Sequence, residues 1–210
     1  MLIGLYGGTF DPIHLGHQHA AAQAMTSLDL DELRFVLSAR PGHREQPAAS
    51  IEHRWQMLCL ACADKPGFVP DRTEIDRSGS SFTYLTVKAL RAKEQRAIPC
   101  WLLGQDSYAT LNLWYEWRQL LEECNLVVVE RPGAPVELPA EVAELEAVRG
   151  VGQLDRSTVG QIVRLTMPMR DVSASDIRRR IACSEPVEHL LADPVWSYIR
   201  RHRLYLENPV

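Results

Sequence analysis

The chain has 210 residues, a net charge of −4 and an isoelectric point near 6.0. This length suits one domain with a sizeable core, and a composition of 46% hydrophobic and 24% charged residues excludes a disordered chain. The acidic balance argues against a general nucleic-acid-binding protein, because such proteins need a broad basic face to displace counterions.

Strand and helix patterns alternate along the chain. Residues 2–8 (LIGLYGG) predict a short buried strand, and a helix follows from near His17. The segment from Leu113 to Glu123 predicts another helix, and residues 132–160 predict a surface loop with one short helix. The alternation favours a parallel α/β sheet with crossover helices. The other predicted elements are strands at residues 33–38, 98–104, 125–133 and 162–169, an extended piece at 68–75, and helices at 51–64, within 77–92, and at 175–182, 187–191 and 194–203.

The sequence predicts neither a membrane segment nor a disulfide framework. No apolar run approaches the roughly 20 residues that span a bilayer, and residues 2–8 are too short for a signal peptide, so we expect a cytoplasmic protein. The five cysteines are odd in number and lie in apolar surroundings. Cys59 and Cys62 form a CxxC pair within a helical pattern, and no second pair accompanies it. This favours buried helix residues over a metal or redox site.

The segment from Gly7 to His17 (GGTFDPIHLGH) carries the clearest chemical signal. It follows the first strand and opens the first helix, which places it at the carboxyl edge of a parallel sheet, where ligands bind. Its glycines let the backbone approach a phosphate chain, and the helix amino terminus offers unpaired N–H groups and a partial positive charge. His14 and His17 are three residues apart, so both side chains project to one side of the first turn. The segment therefore predicts an anion site.

Two other interpretations of these histidines stay open. The segment is compatible with a capped helix start that contains two histidines by chance. It is also compatible with a zinc site, because HxxH is a known metal spacing. Zinc needs three or four ligands, however, and no cysteine lies near in sequence.

A second polar segment follows the last predicted strand, at residues 172–180 (VSASDIRRR). Ser173 or Ser175 is a natural helix N-cap, and Arg178, one turn inside that helix, can reach back to the same anion. Alone, the segment is typical of a helix start with a solvated basic face. Together with the first segment it provides two phosphate cradles, which suit a triphosphate.

The two segments resemble the two signatures of the HxGH nucleotidyltransferase superfamily. GGTFDPIHLGH resembles GxFDPxHxGH, and SASDIRR resembles the serine-rich ISSTxIR signature, with valine at position 172 in place of the usual isoleucine. The resemblance implies a Rossmann-like, doubly wound parallel sheet with a small C-terminal helical segment. We expect a single domain over residues 1–210, in which residues 170–210 form a helical subregion that carries the second signature.

Further stretches are similar to the bacterial nicotinate-nucleotide adenylyltransferases in particular. They are RPGHREQP at 40–47, RSGSSFTYLT at 77–86, GQDSYATLNLWYEW at 104–117, and the tail DPVWSYIRRHRLY. Gly42 and Phe82 depart from the residues that relatives often carry there, which are proline and tyrosine. The resemblance implies adenylyl transfer from ATP to nicotinate mononucleotide, and the Mg²⁺ ion enters with ATP. We expect the protein to be a monomer or a weak homo-oligomer.

The resemblance also assigns site residues. His14, His17 and Arg178 act on the ATP phosphates, with His17 nearest the reacting phosphorus. Asp106 binds a ribose hydroxyl of the acceptor or orients the metal indirectly, although a helix N-cap is an alternative role for it. The residues assigned to ATP are Gly7, Gly8, Thr9, Phe10, His14, His17, Gly104, Ser173, Ser175 and Arg178. The residues assigned to the mononucleotide are His43, Arg44, Thr83, Tyr84, Asp106, Trp114 and Tyr115.

Three rival functions were weighed against this one. The first is a sister transferase that adenylates phosphopantetheine or uses CTP, and the segments SFTYLT and LWYEW argue against it. A fragment of a class I aminoacyl-tRNA synthetase needs a lysine-containing KMSKS-like loop, and no lysine follows Lys93. A non-catalytic nucleotide sensor does not need the intact histidine pair and Arg178.

Overall fold

The computed structural model describes residues 1–40, 46–130, 136–167 and 172–206. Within them, seven strands form one sheet in the order β3-β2-β1-β4-β5-β7-β6, and every neighbouring pair is parallel. The strands are rich in consecutive buried apolar residues, which is typical of parallel sheets covered on both faces. The strands are β1 Leu2–Gly8, β2 Glu32–Leu37, β3 Phe68–Asp71, β4 Ile98–Gly104, β5 Asn125–Glu130, β6 Gly150–Val151 and β7 Ile162–Thr166.

Nine helices in the described ranges connect and cover these strands. Two short 3-10 turns, Leu111–Leu113 and Glu188–Leu190, lie among them. The helices are α1 Leu15–Leu28, α2 Ile51–Cys62, α3 Thr73–Asp76, α4 Thr83–Lys93, α5 Gln105–Tyr108, α6 Trp117–Glu123, α7 Ala140–Arg149, α8 Ala174–Ala182 and α9 Asp193–His202. The expected doubly wound α/β fold is confirmed.

Each face of the sheet carries its own hydrophobic core. Alternate residues of a strand point to opposite faces, so Leu102 of β4 joins one core and Leu103 joins the other. The first core includes buried residues of α1, α2, α8 and α9, and the second includes buried residues of α4, α5, α6 and α7. The single domain with a helical subregion over 170–210 stays a prediction.

The strand order places a ligand-binding crevice beside β1. From β1 the chain winds outward through β2 and β3 on one side, and from β4 it winds outward on the other side. The loops that leave the carboxyl ends of β1 and β4 therefore diverge, and such a switch point is where ligands bind in open α/β sheets. The first polar segment leaves β1 here, and Asp106 follows β4.

Several predicted boundaries need correction. The helix predicted over Leu113–Glu123 is wrong in its first half, because α6 begins only at Trp117, and Glu116 before it is in the left-handed region at φ 51°. Helix α1 begins at Leu15 rather than near His17. The predicted extended piece at 68–75 ends at Asp71, and the predicted helix at 187–191 is a 3-10 turn. The loop predicted at 132–160 does contain one helix, the ten-residue α7, but it also contains the two-residue strand β6, which was not predicted.

No helix among the described residues is long and apolar enough to cross a bilayer. The expected cytoplasmic location stays a prediction. Cys59 and Cys62 lie on α2 as free thiols, and burial raises the pKa of Cys62 to about 12. A thiol with so high a pKa is a poor nucleophile and metal ligand, so the structure agrees with the interpretation of this pair as helix residues.

Candidate active site

His14 and His17 form a reciprocal cap at the amino end of α1. His14 is the N-cap residue, and its Nδ1 accepts the backbone N–H of His17 at 3.4 Å. In return, Nδ1 of His17 accepts the backbone N–H of His14 at 3.3 Å. The two rings stack with their centroids 3.7 Å apart. Imidazoles thus occupy the positions that serine and glutamate hold in an ordinary capping box.

This cap determines which nitrogen of each ring carries the proton. A neutral imidazole has one donor and one acceptor nitrogen, and the Nδ1 atoms of His14 and His17 are both used as acceptors. Burial lowers the pKa of His14 from 6.5 to about 4. Burial, together with the neighbouring His14, also holds the pKa of His17 well below 6.5. At neutral pH both rings are therefore uncharged and carry their N–H at Nε2, on the side away from the helix backbone.

Packing explains the glycines around the pair. A Cβ at Gly16 would lie 3.0 Å from Nδ1 of His14 and 3.4 Å from Cβ of Val172, so the second polar segment approaches this glycine closely. A Cβ at Gly7 would lie 2.4 Å from the Trp101 ring, and one at Gly8 would lie 2.7 Å from the Phe10 ring. Glycine is thus required at 7 and 8 by contacts within the protein, and the assignment of both residues to ATP stays a prediction.

Phe10 and Thr9 support the histidine pair from the loop after β1. The Phe10 ring is buried and meets the His17 ring edge-on, with centroids 5.1 Å apart. Phe10 has a φ of 46°, in the left-handed region. The carbonyl of Thr9 accepts a hydrogen bond from Arg54 Nη1 at 2.9 Å. The expected contacts of their backbone amides with ATP stay predictions.

The second polar segment lies directly against the first. Ser173 is the N-cap of α8, and its hydroxyl accepts the N–H of Asp176 at 3.1 Å and lies 2.8 Å from the hydroxyl of Ser175. Nη1 of Arg178 donates to the backbone carbonyl of Asp11 at 2.7 Å. The buried Nε of Arg178 has no hydrogen-bond partner within the described part of the chain. The amino ends of α1 and α8 thus meet, and an unused guanidinium donor lies beside them.

Asp11 plays a structural part in this arrangement that its place in the sequence does not reveal. Asp11 is only 4% exposed, and its carboxylate accepts the N–H of Ala48 at 2.7 Å and the hydroxyl of Tyr205 at 2.7 Å. Burial and the Asp11 carboxylate raise the pKa of Tyr205, which keeps its hydroxyl a donor. Asp11 therefore ties the histidine segment to the amino end of α2, to the carboxyl end of the chain and to Arg178.

Arg54 is a residue that sequence analysis missed. It is a charged residue of α2 with only 1% exposure, and it donates to the carbonyls of Thr9, Ser38 and Ala49 at 2.8 to 3.2 Å. These bonds hold the loops after β1 and β2 against α2. A cavity of about 470 Å³ opens beside Arg54 at this edge of the sheet. The helical spacing of α2 predicted an amphipathic helix, but not that its single arginine turns inward.

The residues assigned to the mononucleotide base lie near one another, beside the second core. Thr83 is the first residue of α4 and Tyr84 is the second. Tyr115 is 48% exposed, and its ring stacks on Phe82 with centroids 4.7 Å apart. Trp114, partly buried, packs against the second core. The neighbouring Trp117 is buried in the same core.

The remaining assigned residues differ in how well the structure places them. Gly104 is exposed at the end of β4, with no atom within 4 Å of the position of a Cβ. Asp106 is exposed in the first turn of α5. The alternative role of Asp106 as an N-cap is wrong, because Gly104 holds that position. His43 and Arg44 lie outside the described residues.

The zinc interpretation finds no support in the described residues, where no group of three or more histidine, cysteine, aspartate or glutamate side chains could hold a metal. The Nδ1 atoms of both site histidines already accept backbone N–H groups. The interpretation of the pair as a helix cap is correct as far as it goes, because the histidines do cap α1. Capping and anion binding are compatible here, because Nε2 remains available on each ring.

Comparison with known proteins identifies the family. The cytidylyltransferase-like family matches residues 5–180. A probable nicotinate-nucleotide adenylyltransferase from Hydrogenovibrio crunogenus is 39% identical, with 97% of each chain covered, and one from Cellvibrio japonicus is 40% identical over 97% of this chain and 98% of the relative. The structure of Plasmodium falciparum nicotinic acid mononucleotide adenylyltransferase complexed with NaAD has the same fold, with a TM-score of 0.74 at 17% identity over 99% of this chain and 98% of that one. The chain belongs to the cytidylyltransferase-like family and, within it, to the nicotinate-nucleotide adenylyltransferases.

Proposed function

We propose that the chain transfers the AMP moiety of ATP to nicotinate mononucleotide, which gives deamido-NAD and pyrophosphate. The observation that carries this proposal is the 2.7 Å hydrogen bond from Arg178 to the carbonyl of Asp11. It joins the segment before α1 to α8, between two residues that lie 167 positions apart in sequence, at the switch point of the sheet. Two helix amino termini at one crevice suit the several negative charges of a triphosphate.

The reaction needs no general base from the protein. The phosphate of the acceptor has a second pKa of about 6, so at neutral pH it is already a nucleophilic dianion. One of its oxygens forms a bond to the α-phosphorus of ATP, and the bond from that phosphorus to the bridging oxygen of pyrophosphate breaks. The protein therefore contributes by aligning the two nucleotides in line and by stabilising charge on the reacting phosphates.

The two histidines supply uncharged hydrogen-bond donors for the negative charge on the reacting phosphates. Nδ1 of each ring accepts a backbone N–H, which leaves Nε2–H of His14 and His17 without a hydrogen bond to the described residues. His17 is the closer of the two to the reacting phosphorus in this proposal. Donors that are fixed before the reaction cost no reorganisation when the transition state forms, which is the most effective form of electrostatic stabilisation.

Arg178, Ser173 and Ser175 hold the β- and γ-phosphates in this proposal. Nη1 of Arg178 is already fixed on the carbonyl of Asp11, which holds the guanidinium beside the amino end of α1. A guanidinium placed in this way can bind phosphate oxygens with directional, charge-assisted bonds. The hydroxyls of Ser173 and Ser175 and the first N–H groups of α8 add to this cradle.

The acceptor lies across the crevice, toward α4. Trp114 stacks on the electron-poor pyridinium ring, and the first N–H groups of α4, near Thr83 and Tyr84, receive the nicotinate carboxylate together with the backbone near Tyr115. A carboxylate accepts charge-assisted hydrogen bonds, whereas a neutral carboxamide gains less from a helix amino terminus. The site should therefore favour the acid over the amide.

Mg²⁺ enters as part of the substrate MgATP. Bound in this way, Mg²⁺ would offset the negative charge of the triphosphate and would need few protein ligands. Asp106 is our candidate for orienting the Mg²⁺ ion, because its carboxylate is exposed just after the carboxyl end of β4. Asp106 can instead bind a ribose hydroxyl of the acceptor.

A pyrophosphate-release assay tests the function directly. ATP is supplied with nicotinate mononucleotide or with nicotinamide mononucleotide, and a reaction without acceptor corrects for ATP hydrolysis. We expect a higher kcat/KM with the acid. A clear preference for the amide would overturn the substrate assignment. Turnover with phosphopantetheine and ATP, or with CTP as donor, in the absence of turnover with nicotinate mononucleotide would favour a sister transferase.

A further inference from the structure

A buried carboxylate, Glu74, lies beneath the start of α4 and has no part in the function proposed above. It belongs to the short helix α3 and is only 5% exposed. Its Oε1 accepts the hydroxyl of Thr86 at 2.7 Å, while its buried Oε2 has no hydrogen-bond partner in the described ranges. A buried carboxylate with an unused oxygen is a poor source of stability, because it has lost its hydration without full replacement. Its presence calls for another explanation.

Thr86 connects this carboxylate to the segment that precedes α4. The residue lies three positions after Thr83, the first residue of the helix. Its hydroxyl oxygen accepts a hydrogen bond from Arg77 Nη1 at 3.2 Å, and Arg77 Nη2 donates to the carbonyl of Ser80 at 3.4 Å. Glu74, Thr86 and Arg77 therefore form one chain of hydrogen bonds, which we call the α4 network. It links the first turns of α4 to the loop at residues 77–82.

The same loop is held from the opposite side by Arg40, at the carboxyl end of β2. The backbone N–H of Arg40 donates to the Ser81 hydroxyl, and the N–H of Ser81 donates to the Arg40 carbonyl, both at 3.1 Å. Nη1 of Arg40 donates to the carbonyl of Arg77 at 2.8 Å. The loop is thus fixed between the sheet edge and the α4 network, and Phe82 at its end is fixed with it.

This position matters because α4 has no side-chain cap. Its N-cap residue is Phe82, which makes no capping hydrogen bond, so the first N–H groups of the helix depend on another partner. Phe82 also stacks on Tyr115, and this stack links the start of α4 to the 113–116 segment. Any shift of the 77–82 loop would move the uncapped N–H groups and the stacked rings together.

We propose that Glu74, Thr86 and Arg77 are positioning residues for the mononucleotide acceptor, and that they hold the uncapped start of α4 in the geometry that receives the nicotinate carboxylate. None of the three touches substrate. The inference rests on the proposed function, because it assumes that the acceptor carboxylate binds at α4. Its consequence is specific: loss of the network weakens binding of the acid and leaves ATP binding and the chemical step intact.

The sharpest test exchanges the Thr86 hydroxyl for a methyl group of nearly the same size. Thr86→Val removes both hydrogen bonds of the network and also the 3.2 Å hydrogen bond of the hydroxyl to the Phe82 carbonyl, whereas Thr86→Ser retains the hydroxyl. We expect Thr86→Val to raise the KM for nicotinate mononucleotide about tenfold, the usual effect of one buried hydrogen bond. The KM for ATP and kcat should change less than about twofold. The ratio of kcat/KM for the acid over the amide should fall by a similar factor, and Thr86→Ser should restore most of both losses.

Thr166→Val is the control for the same chemical change at an exposed site. The Thr166 hydroxyl also donates to a glutamate, Glu130, at 2.8 Å from Oε2. This bond lies between strands β7 and β5, and neither residue belongs to the α4 network. Thr166→Val should leave the acceptor KM unchanged. Arg77→Met breaks the network from the surface and provides a second test should Thr86→Val fold poorly; it should raise the acceptor KM in the same selective way.

The possible outcomes separate this inference from the function on which it rests. If the unmodified protein forms no dinucleotide from nicotinate mononucleotide, the proposed function fails. If it does form the dinucleotide, but Thr86→Val only lowers the midpoint of thermal unfolding, or raises both KM values equally, the network is merely structural. Full acceptor affinity in both Thr86→Val and Arg77→Met would likewise overturn the inference.

Discussion

The histidine cap at the start of α1 should make folding stability depend on pH. In the folded chain burial lowers the pKa of His14 from 6.5 to about 4, whereas in the unfolded chain it returns to about 6.5. Between these values the unfolded chain binds a proton that the folded chain does not. The stability that depends on neutral His14 is therefore present above pH 6.5 and is lost as the pH falls toward 4.

The size of this loss follows from the two pKa values. With a His14 pKa of 6.5 in the unfolded chain and about 4 in the folded chain, proton linkage lowers the free energy of unfolding by about 2 kcal/mol from pH 7 to pH 5. His17 should add to the loss in the same direction, because its pKa is also lowered. A physical cause lies in the cap itself: a protonated His14 would carry a hydrogen on Nδ1, the atom that accepts the N–H of His17.

His14→Asn isolates this contribution, because asparagine is a favourable N-cap that does not titrate. Urea unfolding of both proteins at pH 8 measures the cost of the altered cap and packing, and the same measurement at pH 7, 6 and 5 measures the linkage. We expect the unmodified chain to lose about 2 kcal/mol more than His14→Asn between pH 7 and pH 5. Parallel stability curves for the two proteins would refute the argument that burial keeps this histidine neutral.

Two further predictions concern catalysis and acceptor binding, and steady-state pyrophosphate release measures both. His17→Ala should lower kcat by about 10² to 10³, with only a modest rise in the KM for ATP, because the Nε2–H donor acts on charge that develops in the transition state. Near-normal turnover would contradict that role. Trp114→Ala should raise the KM for nicotinate mononucleotide about tenfold and leave the KM for ATP nearly unchanged, because a pyridinium–indole stack is lost. Equal rises in both KM values would count against stacking.

The carboxyl-edge position of the histidine segment could be predicted from the sequence because its signals are local. A run of apolar residues that ends in Gly7 and Gly8 predicts a buried strand, and the polar segment after it must then lie at the carboxyl edge of the sheet. The N-cap role of Ser173 was predictable for the same reason, since a cap and its helix lie within four residues of each other. Helix periodicity also identified α2 and α9 with small boundary errors.

The break before α6 shows where local signals mislead. Residues 113–123 have good helical composition, but the chain turns at Trp114–Glu116, and Tyr115 stacks on Phe82 from a distant segment. Tertiary contacts of this kind override helix propensity, which is worth less than 1 kcal/mol per residue for ordinary side chains. Packing against a distant segment therefore determines that residues 113–116 do not continue the helix.

The sequence by itself determined the parallel α/β fold and the two polar helix starts at its edge, because periodicity, capping and glycine placement act over a few residues. Only the tertiary structure decided how these starts are joined. Asp11 meets Tyr205 across 194 residues, and Arg178 meets Asp11 across 167. Arg54 and Glu74 turn inward from helices whose polar residues otherwise face water. Such pairings depend on the strand order and on which buried charged groups come into contact. Neither property can be predicted from a short stretch of the sequence.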